Sequence, residues 1–295
     1  MNPFHYVMAR SLEQAKEALA EYTPGAALLA GGTDLLIEWR RPAARAPRTV
    51  IDISRIGELR GIGMEEGMVV IKPLCTHAEI MSSQTLRTFA PLLSASAATI
   101  GSPQIRNRGT VGGNIMNAAA CADTVPPLAA LNARVTLQSR SGKREIQMVD
   151  LFVKPYHTRA KDDEILTRIR FEGLTPRKRS AFLKLGRRNA LSISRLSVAV
   201  ILEQDGSGKI VDARIVPGAA LPVWERMREA EGLLLGQIPS PELCASAGRK
   251  VAEEMIVRTG RRWSTPYKEP VMAVLVRRAL EQCMRPEFRR PPENG

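Results

Sequence analysis

Two short glycine-paired segments carry the strongest chemical signal in the chain. The first is Leu28-Leu29-Ala30-Gly31-Gly32-Thr33-Asp34-Leu35, an apolar strand running into Gly-Gly-Thr-Asp. Glycine admits positive φ and close backbone approach, so such a turn can aim several N–H groups one way. A concavity of that kind binds phosphate oxygens. The same residues also suit an ordinary turn between a strand and a helix. The second segment is Thr110-Val111-Gly112-Gly113-Asn114, with a hydroxyl before the glycine pair and an amide after it. One such loop is weak evidence; two, flanked alike, suggest nests converging on one diphosphate. Asp123 follows nine residues after Asn114, placed to bond a ribityl or ribose hydroxyl or merely to cap the next helix.

Other diphosphate motifs fit poorly. Gly61-Ile62-Gly63 with Gly67 has the wrong spacing for the dinucleotide fingerprint and leads into a strand instead of a helix. There is no Walker A sequence. Cys75, Cys121, Cys244 and Cys283 are far apart, and His5, His77 and His157 are scattered. That spacing offers neither a local zinc site nor an iron–sulfur loop, and it reads as free thiols in a reducing compartment.

The elements that must hold these loops are readable from periodicity and punctuation. Residues 11–19 predict a helix capped by Ser11, with Gln14 three residues on. Strands are expected at 26–30 and 49–53. A hairpin is expected over 61–74, turning at Glu65-Glu66-Gly67. Residues 76–83 predict a helix with Thr76 and Glu79 as a capping box, and 91–98 a helix of small and apolar residues. Residues 101–114 look too rich in Gly and Pro to be regular. A helical turn at 126–131, a hairpin about Ser141-Gly142, and a strand at 164–171 that closes the sheet follow. Beyond Thr175-Pro176 come strands at 181–185 and 196–202, a hairpin turning at 205–208, and helices over 223–235, 241–254 and 268–283.

The chain has 295 residues, enough for about two domains of roughly 150 residues. With 44% hydrophobic and 25% charged residues it reads as globular, neither disordered nor a disulfide scaffold. No apolar run reaches the ~18 residues of a membrane span. The first 22 residues lack a signal-peptide pattern, so a cytoplasmic protein is expected. The net charge of +13 could mark a nucleic-acid binder. Yet the basic residues are spread along the chain and aromatics are only 4%, leaving few stacking platforms. A surface that receives a polyanionic cofactor and an acidic partner subunit fits better, with no nucleic acid and no membrane.

Ala30-Gly31-Gly32-Thr33-Asp34-Leu35, Pro103-Gln104-Ile105-Arg106-Asn107 and Thr110-Val111-Gly112-Gly113-Asn114, in this order, resemble the FAD-binding medium subunit of the molybdenum hydroxylases. That family includes the xanthine and carbon monoxide dehydrogenases, and the likeness is nearest to the FAD subunit of bacterial xanthine dehydrogenase. Thr76-His77-Ala78-Glu79 and Gly186-Arg187-Arg188 stand where the family has them. The resemblance implies an α+β fold. A two-lobed FAD-binding domain of vanillyl-alcohol-oxidase (PCMH) type would span 1–175, with lobes of about 1–55 and 56–175. A smaller α+β domain of antiparallel sheet and helices would span 176–288, with a disordered tail at 289–295.

It also implies site residues. Leu29, Ala30, Gly31, Gly32, Thr33, Asp34 and Leu35 would line one phosphate loop, and Thr110, Val111, Gly112, Gly113 and Asn114 the other. Asp123 matches the family's acidic FAD ligand, Ile100 and Leu166 match apolar or backbone contacts, and Lys184 matches a basic contact from the second domain. The implied function is electron transfer through non-covalent FAD. Electrons would come from [2Fe–2S] clusters of a small partner subunit, fed by a large molybdopterin subunit, and pass to NAD+ or another acceptor. The implied assembly is a dimer of heterotrimers. No catalytic nucleophile and no metal ligand are expected in this chain. The rival readings are a stand-alone flavin oxidase of the same fold, with FAD bonded to His or Cys, and a flavin-free interaction protein.

Overall fold

The computed structural model describes residues 4–41, 47–188 and 191–284; the tail expected at 289–295 lies outside them. The first lobe runs β1 (His5–Met8), α1 (Leu12–Tyr22), β2 (Ala26–Leu29), α2 (Leu35–Glu38) and β3 (Thr49–Asp52). Its sheet is parallel, in the order β1-β3-β2, with Ala26 and His5 both opposite Thr49. Parallel strands need crossovers, and α1 supplies one, burying Ala15, Ala18 and Leu19 against Ile51 and Ile53. Ser11 accepts from the Gln14 N–H, while the Gln14 carboxamide accepts from the Arg10 N–H. The edge strand β1 has no counterpart in the periodicity, because four residues of half-exposed strand are too few to show a period.

The second lobe begins with β4 (Ile62–Glu65), β5 (Met68–Ile71), α3 (His77–Ser82), α4 (Gln84–Phe89) and α5 (Pro91–Ala98). It continues with α6 (Pro103–Arg108), α7 (Val111–Asn117), α8 (Val125–Ala130), β6 (Arg134–Ser139) and β7 (Gly142–Gln147). A short pair, β8 (Phe152–Lys154) and β9 (His157–Thr158), precedes β10 (Ile165–Glu172). The five-stranded sheet has the order β4-β5-β10-β6-β7, all antiparallel. The last strand is therefore central and not an edge. Residues 101–114 are also more regular than expected. Ser102 caps α6 with Pro103 in its first turn, and Thr110 caps α7. Local caps outweigh the poor helix propensity of Gly112 and Gly113 there.

Charge on this sheet is paired across strands. Glu145 accepts from Arg134 at 2.6 Å and from Arg170 at 2.8 Å, and Glu65 pairs with Arg168. Glu164 is buried and accepts from Arg144 at 2.6 and 2.7 Å and from the Lys161 N–H at 2.8 Å. The Arg144 bond leads in holding its carboxyl below the usual 4.5. A carboxyl depressed by folding stabilises fully above its unfolded value and loses that effect as pH falls through the folded one. Glu164→Gln is therefore expected to lower the thermal midpoint at pH 7 and to flatten its decline below pH 4.5. Melting curves from pH 7 to 3 check this.

The third part is β11 (Lys178–Leu185), β12 (Leu196–Gln204) and β13 (Ile210–Gly218), then α9 (Arg228–Leu234), α10 (Pro241–Thr259) and α11 (Thr265–Met284). Its antiparallel sheet is covered on both faces. Phe182, Ala199, Ile201 and Val216 join the core built on Leu93, Ala97 and Leu128. Ala181, Val198, Val200 and Ile215 face the second core, with Val251 of α10 and Val276 of α11. That is why residues 196–202 read as a continuous apolar run without alternation. The three parts together form an α+β chain. Among the described residues no helix is long and apolar enough to cross a membrane.

Candidate functional site

Strand β2 ends at Leu29 and delivers the first glycine loop to the mouth of a cleft between the two lobes. The cleft, about 310 Å³, is lined on one side by Ala30, Gly31, Gly32, Thr33, Asp34 and Leu35. The opposite side has Gly109, Thr110, Gly113 and Asn114, with His77, Met116, Asn117 and Tyr156 around them. Gly32 has φ +73°, a left-handed conformation that favours glycine. A Cβ on Gly31 would collide with the Arg108 carbonyl oxygen and lie 2.9 Å from its carbon, so the two loops touch through bare α-carbon. The Asn117 side-chain amide donates to Asp34 Oδ2 at 3.1 Å, a second tie between them. Burial raises the Asp34 carboxyl, with the Asn117 bond opposing.

The loops differ in what they offer. The N–H groups of Gly31, Gly32, Thr33 and Asp34 have no hydrogen-bond partner among the described residues. In the second loop Val111 donates to the Cys75 carbonyl, Gly112 to that of Pro73, Gly113 to Thr110 Oγ1 and Asn114 to the Thr110 carbonyl. The expectation of two converging nests is corrected: one loop presents unpaired donors and the other a glycine-bare wall. The difference arises because residues 111–117 fold as a helix whose first turn docks on residues 73–75. Gly112 faces Pro73, where a Cβ would lie 2.5 Å from Pro73 Cβ. Gly113 faces open space, its ideal Cβ meeting only Thr110 Oγ1 at 3.0 Å.

The other expected residues separate into groups. Leu166 lines a second cavity of about 290 Å³, which shares Leu28, Ala30, Gly113 and Met116 with the first. The Val111 side chain is core, and Leu29 packs where a Gly32 Cβ would be. Asp123, Lys184 and Ile100 lie at the junction with β11. Lys184 Nζ donates to Asp123 Oδ2 at 2.8 Å and to the Thr99 carbonyl at 3.0 Å, beside Ile100. Ser194 donates to Asp123 Oδ1 at 2.5 Å. Asp123 is only 6% exposed. Burial pushes its carboxyl up, while Lys184 and Ser194 pull it down. It does not cap α8, whose N-cap is Thr124, without a side-chain bond. Thr124 instead donates to Asn114 Oδ1 at 2.7 Å, joining this cluster to the second loop.

Sequence reasoning placed no role on Asn117 or Tyr156. Asn117 falls three residues, about one helical turn, after Asn114 with nothing to distinguish it, whereas Tyr156 follows a Pro and holds φ +61°. The donor set and bare glycines suit a ligand with an anionic, oxygen-rich centre. An adenine dinucleotide diphosphate meets that description, with oxygens that the Gly31–Asp34 donors and the open Gly113 face could accommodate.

Comparison with known proteins identifies the family. The family described as the FAD binding domain in molybdopterin dehydrogenase matches residues 2–171. The CO dehydrogenase flavoprotein C-terminal domain matches residues 181–283. The nicotinate dehydrogenase FAD-subunit of Eubacterium barkeri is 33% identical over 244 residues, 80% of this chain and 81% of that protein. The xanthine dehydrogenase FAD-binding subunit of Escherichia coli O157:H7 is 29% identical, covering 95% of each chain. A chain of the carbon monoxide dehydrogenase structure from Hydrogenophaga pseudoflava superposes with a TM-score of 0.88 at 29% identity, over 96% of this chain and 98% of that one. A glycine cleft of this form, on a fold matched along nearly its whole length, makes this chain a member of the FAD-binding medium subunits of the molybdenum hydroxylases, an oxidoreductase family.

Proposed function

We propose that this chain is the electron-transfer subunit of a three-subunit molybdenum dehydrogenase. It takes electrons from [2Fe–2S] clusters of a small partner subunit and delivers them to NAD+ or another soluble acceptor. The large partner subunit carries the molybdopterin and oxidises the substrate. FAD, when bound, supplies the exchange between single-electron and two-electron carriers. The chain's own residues bind and orient it. The Gly31–Asp34 N–H groups hold the diphosphate, Gly113 and Thr110 form the facing wall, and Leu166 packs on the cofactor in the adjoining cavity. Asp123, held by Lys184 and Ser194, offers its remaining lone pairs to a flavin hydroxyl; a carboxylate has about four acceptor sites. The observation that carries the reading is the run of unpaired backbone donors facing bare α-carbon across the cleft.

The complex is a dimer of heterotrimers in the cytoplasm. The +13 charge assists docking of an acidic small subunit, an attraction that salt screens. Co-expression with the two partner chains tests the assembly by size exclusion with flavin, iron and molybdenum analysis. The visible spectrum before and after acid precipitation tests the flavin: release of FAD into the supernatant is expected. Colour retained in the pellet would favour the stand-alone oxidase, and a colourless chain the flavin-free reading. Oxidation of a heteroaromatic or aldehyde substrate by this chain alone, free of molybdenum, would sink the proposal.

A further inference from the structure

The His77 side chain is buried in the wall of the cleft with no hydrogen-bond partner among the described residues. It opens α3 inside the Thr76–Glu79 capping box, in which Thr76 accepts from the Glu79 N–H and the Glu79 carboxylate accepts from the Thr76 N–H. The His77 N–H donates to the Gly109 carbonyl at 3.0 Å, and Thr76 pairs with Thr110 in an isolated antiparallel bridge. Residues 76–77 are thus laced to the start of the second glycine loop. The imidazole is 3% exposed and its Nδ1 makes no hydrogen bond. Its Cδ2–Nε2 edge lies against Gly109, where a Cβ would come within 3.1 Å of Cδ2. Gly109 therefore leaves space for this ring as Gly113 leaves space for a ligand.

Burial, aided by the Arg106 charge, holds the imidazole neutral, with a pKa of about 4. Arg106 itself donates to the carbonyls of Ile100 and Gly101 at 2.9 and 3.3 Å. A neutral imidazole carries one N–H and one acceptor nitrogen. Leaving such a ring unpaired in the interior carries a free-energy cost. Packing does not require that cost, since a leucine would fill similar space without it. Nδ1 is sealed from the cleft, so a ligand there would offset part of it by accepting from Nε2, the ring nitrogen beside Gly109.

We infer that His77 is a ligand-binding residue of this cleft, its uncharged imidazole donating one N–H to an anionic oxygen of the diphosphate held between the glycine loops. The assignment rests on the reading that FAD places its diphosphate there. The test uses the full-length chain freed of flavin and titrated with FAD, with quenching of flavin fluorescence as the readout. His77→Leu is expected to weaken FAD binding by about tenfold, the loss of one hydrogen bond to a charged acceptor. His77→Gln, which keeps an N–H donor, is expected to stay within about threefold of the wild type. Riboflavin, which has no phosphate, is expected to bind all three chains alike. The thermal midpoint of the flavin-free His77→Leu chain is expected to match or exceed the wild-type value. Unchanged FAD affinity in His77→Leu, or an equal loss with riboflavin, would overturn the assignment. Failure of the wild-type chain to bind FAD at all would overturn the reading of the cleft and this assignment with it.

Discussion

A Gly113→Val chain is expected to fold normally and to purify colourless, with FAD affinity reduced by at least about 100-fold, or about 2.7 kcal/mol. Gly113 lines both cavities, and among the described residues the only atom within 4 Å of its ideal Cβ is Thr110 Oγ1. A valine there projects into the space the cofactor needs and touches little protein. The helix itself does not suffer, because valine is no worse than glycine in an α-helix. Two neighbouring glycines make the controls. Gly112→Val meets Pro73 and loses stability by overpacking, about 1–3 kcal/mol. Gly31→Val drives a side chain into the Arg108 carbonyl, so it parts the two loops and lowers both stability and flavin binding. Flavin titration beside thermal melting of the three variants separates a cofactor wall from a structural contact. Full FAD occupancy in Gly113→Val would refute the placement of the cofactor.

Lys184→Met is expected to destabilise the chain by about 3–5 kcal/mol, because it strands a buried carboxylate. Asp123 would keep only the Ser194 hydroxyl, with its second oxygen unpaired. In a chain of this size that loss lowers the thermal midpoint by on the order of 10 °C. The double variant Asp123→Asn/Lys184→Met removes both charges and is expected to recover most of the loss. The coupling energy from the four-chain cycle measures the pair itself. Flavin affinity gives an independent reading: the double variant, stable yet without the carboxylate, is expected to hold FAD more weakly. Equal affinity in the double variant and the wild type would leave Asp123 as a brace between β11 and the second lobe.

Much of this was legible in the residue order. The Thr76–Glu79 capping box, the Glu65-Glu66-Gly67 hairpin and the apolar run of β12 each rest on signals only a few residues long, and the structure forms them locally. The glycine pairs marked the cleft, since only close backbone approach requires two bare α-carbons at that spacing. Their division of labour was not legible. Whether a loop's N–H groups are spent or free depends on which distant carbonyls reach it, and Cys75 and Pro73 do so from 35 or more residues away. His77 was hidden for the same reason, because one histidine in a helix start carries no mark of burial or of its neighbours.

The antiparallel sheet β11–β13 has consequences for biogenesis. Its inner face completes the core that supports α5 and α8, so those helices keep apolar surface exposed until Val216 has left the ribosome. The residues of the cleft are all made before position 157, yet the wall behind them closes some 60 residues later. Cofactor capture is then expected to follow synthesis of β13. A nascent chain halted before β13 would present a sticky, flavinless intermediate, the kind of species that chaperones hold.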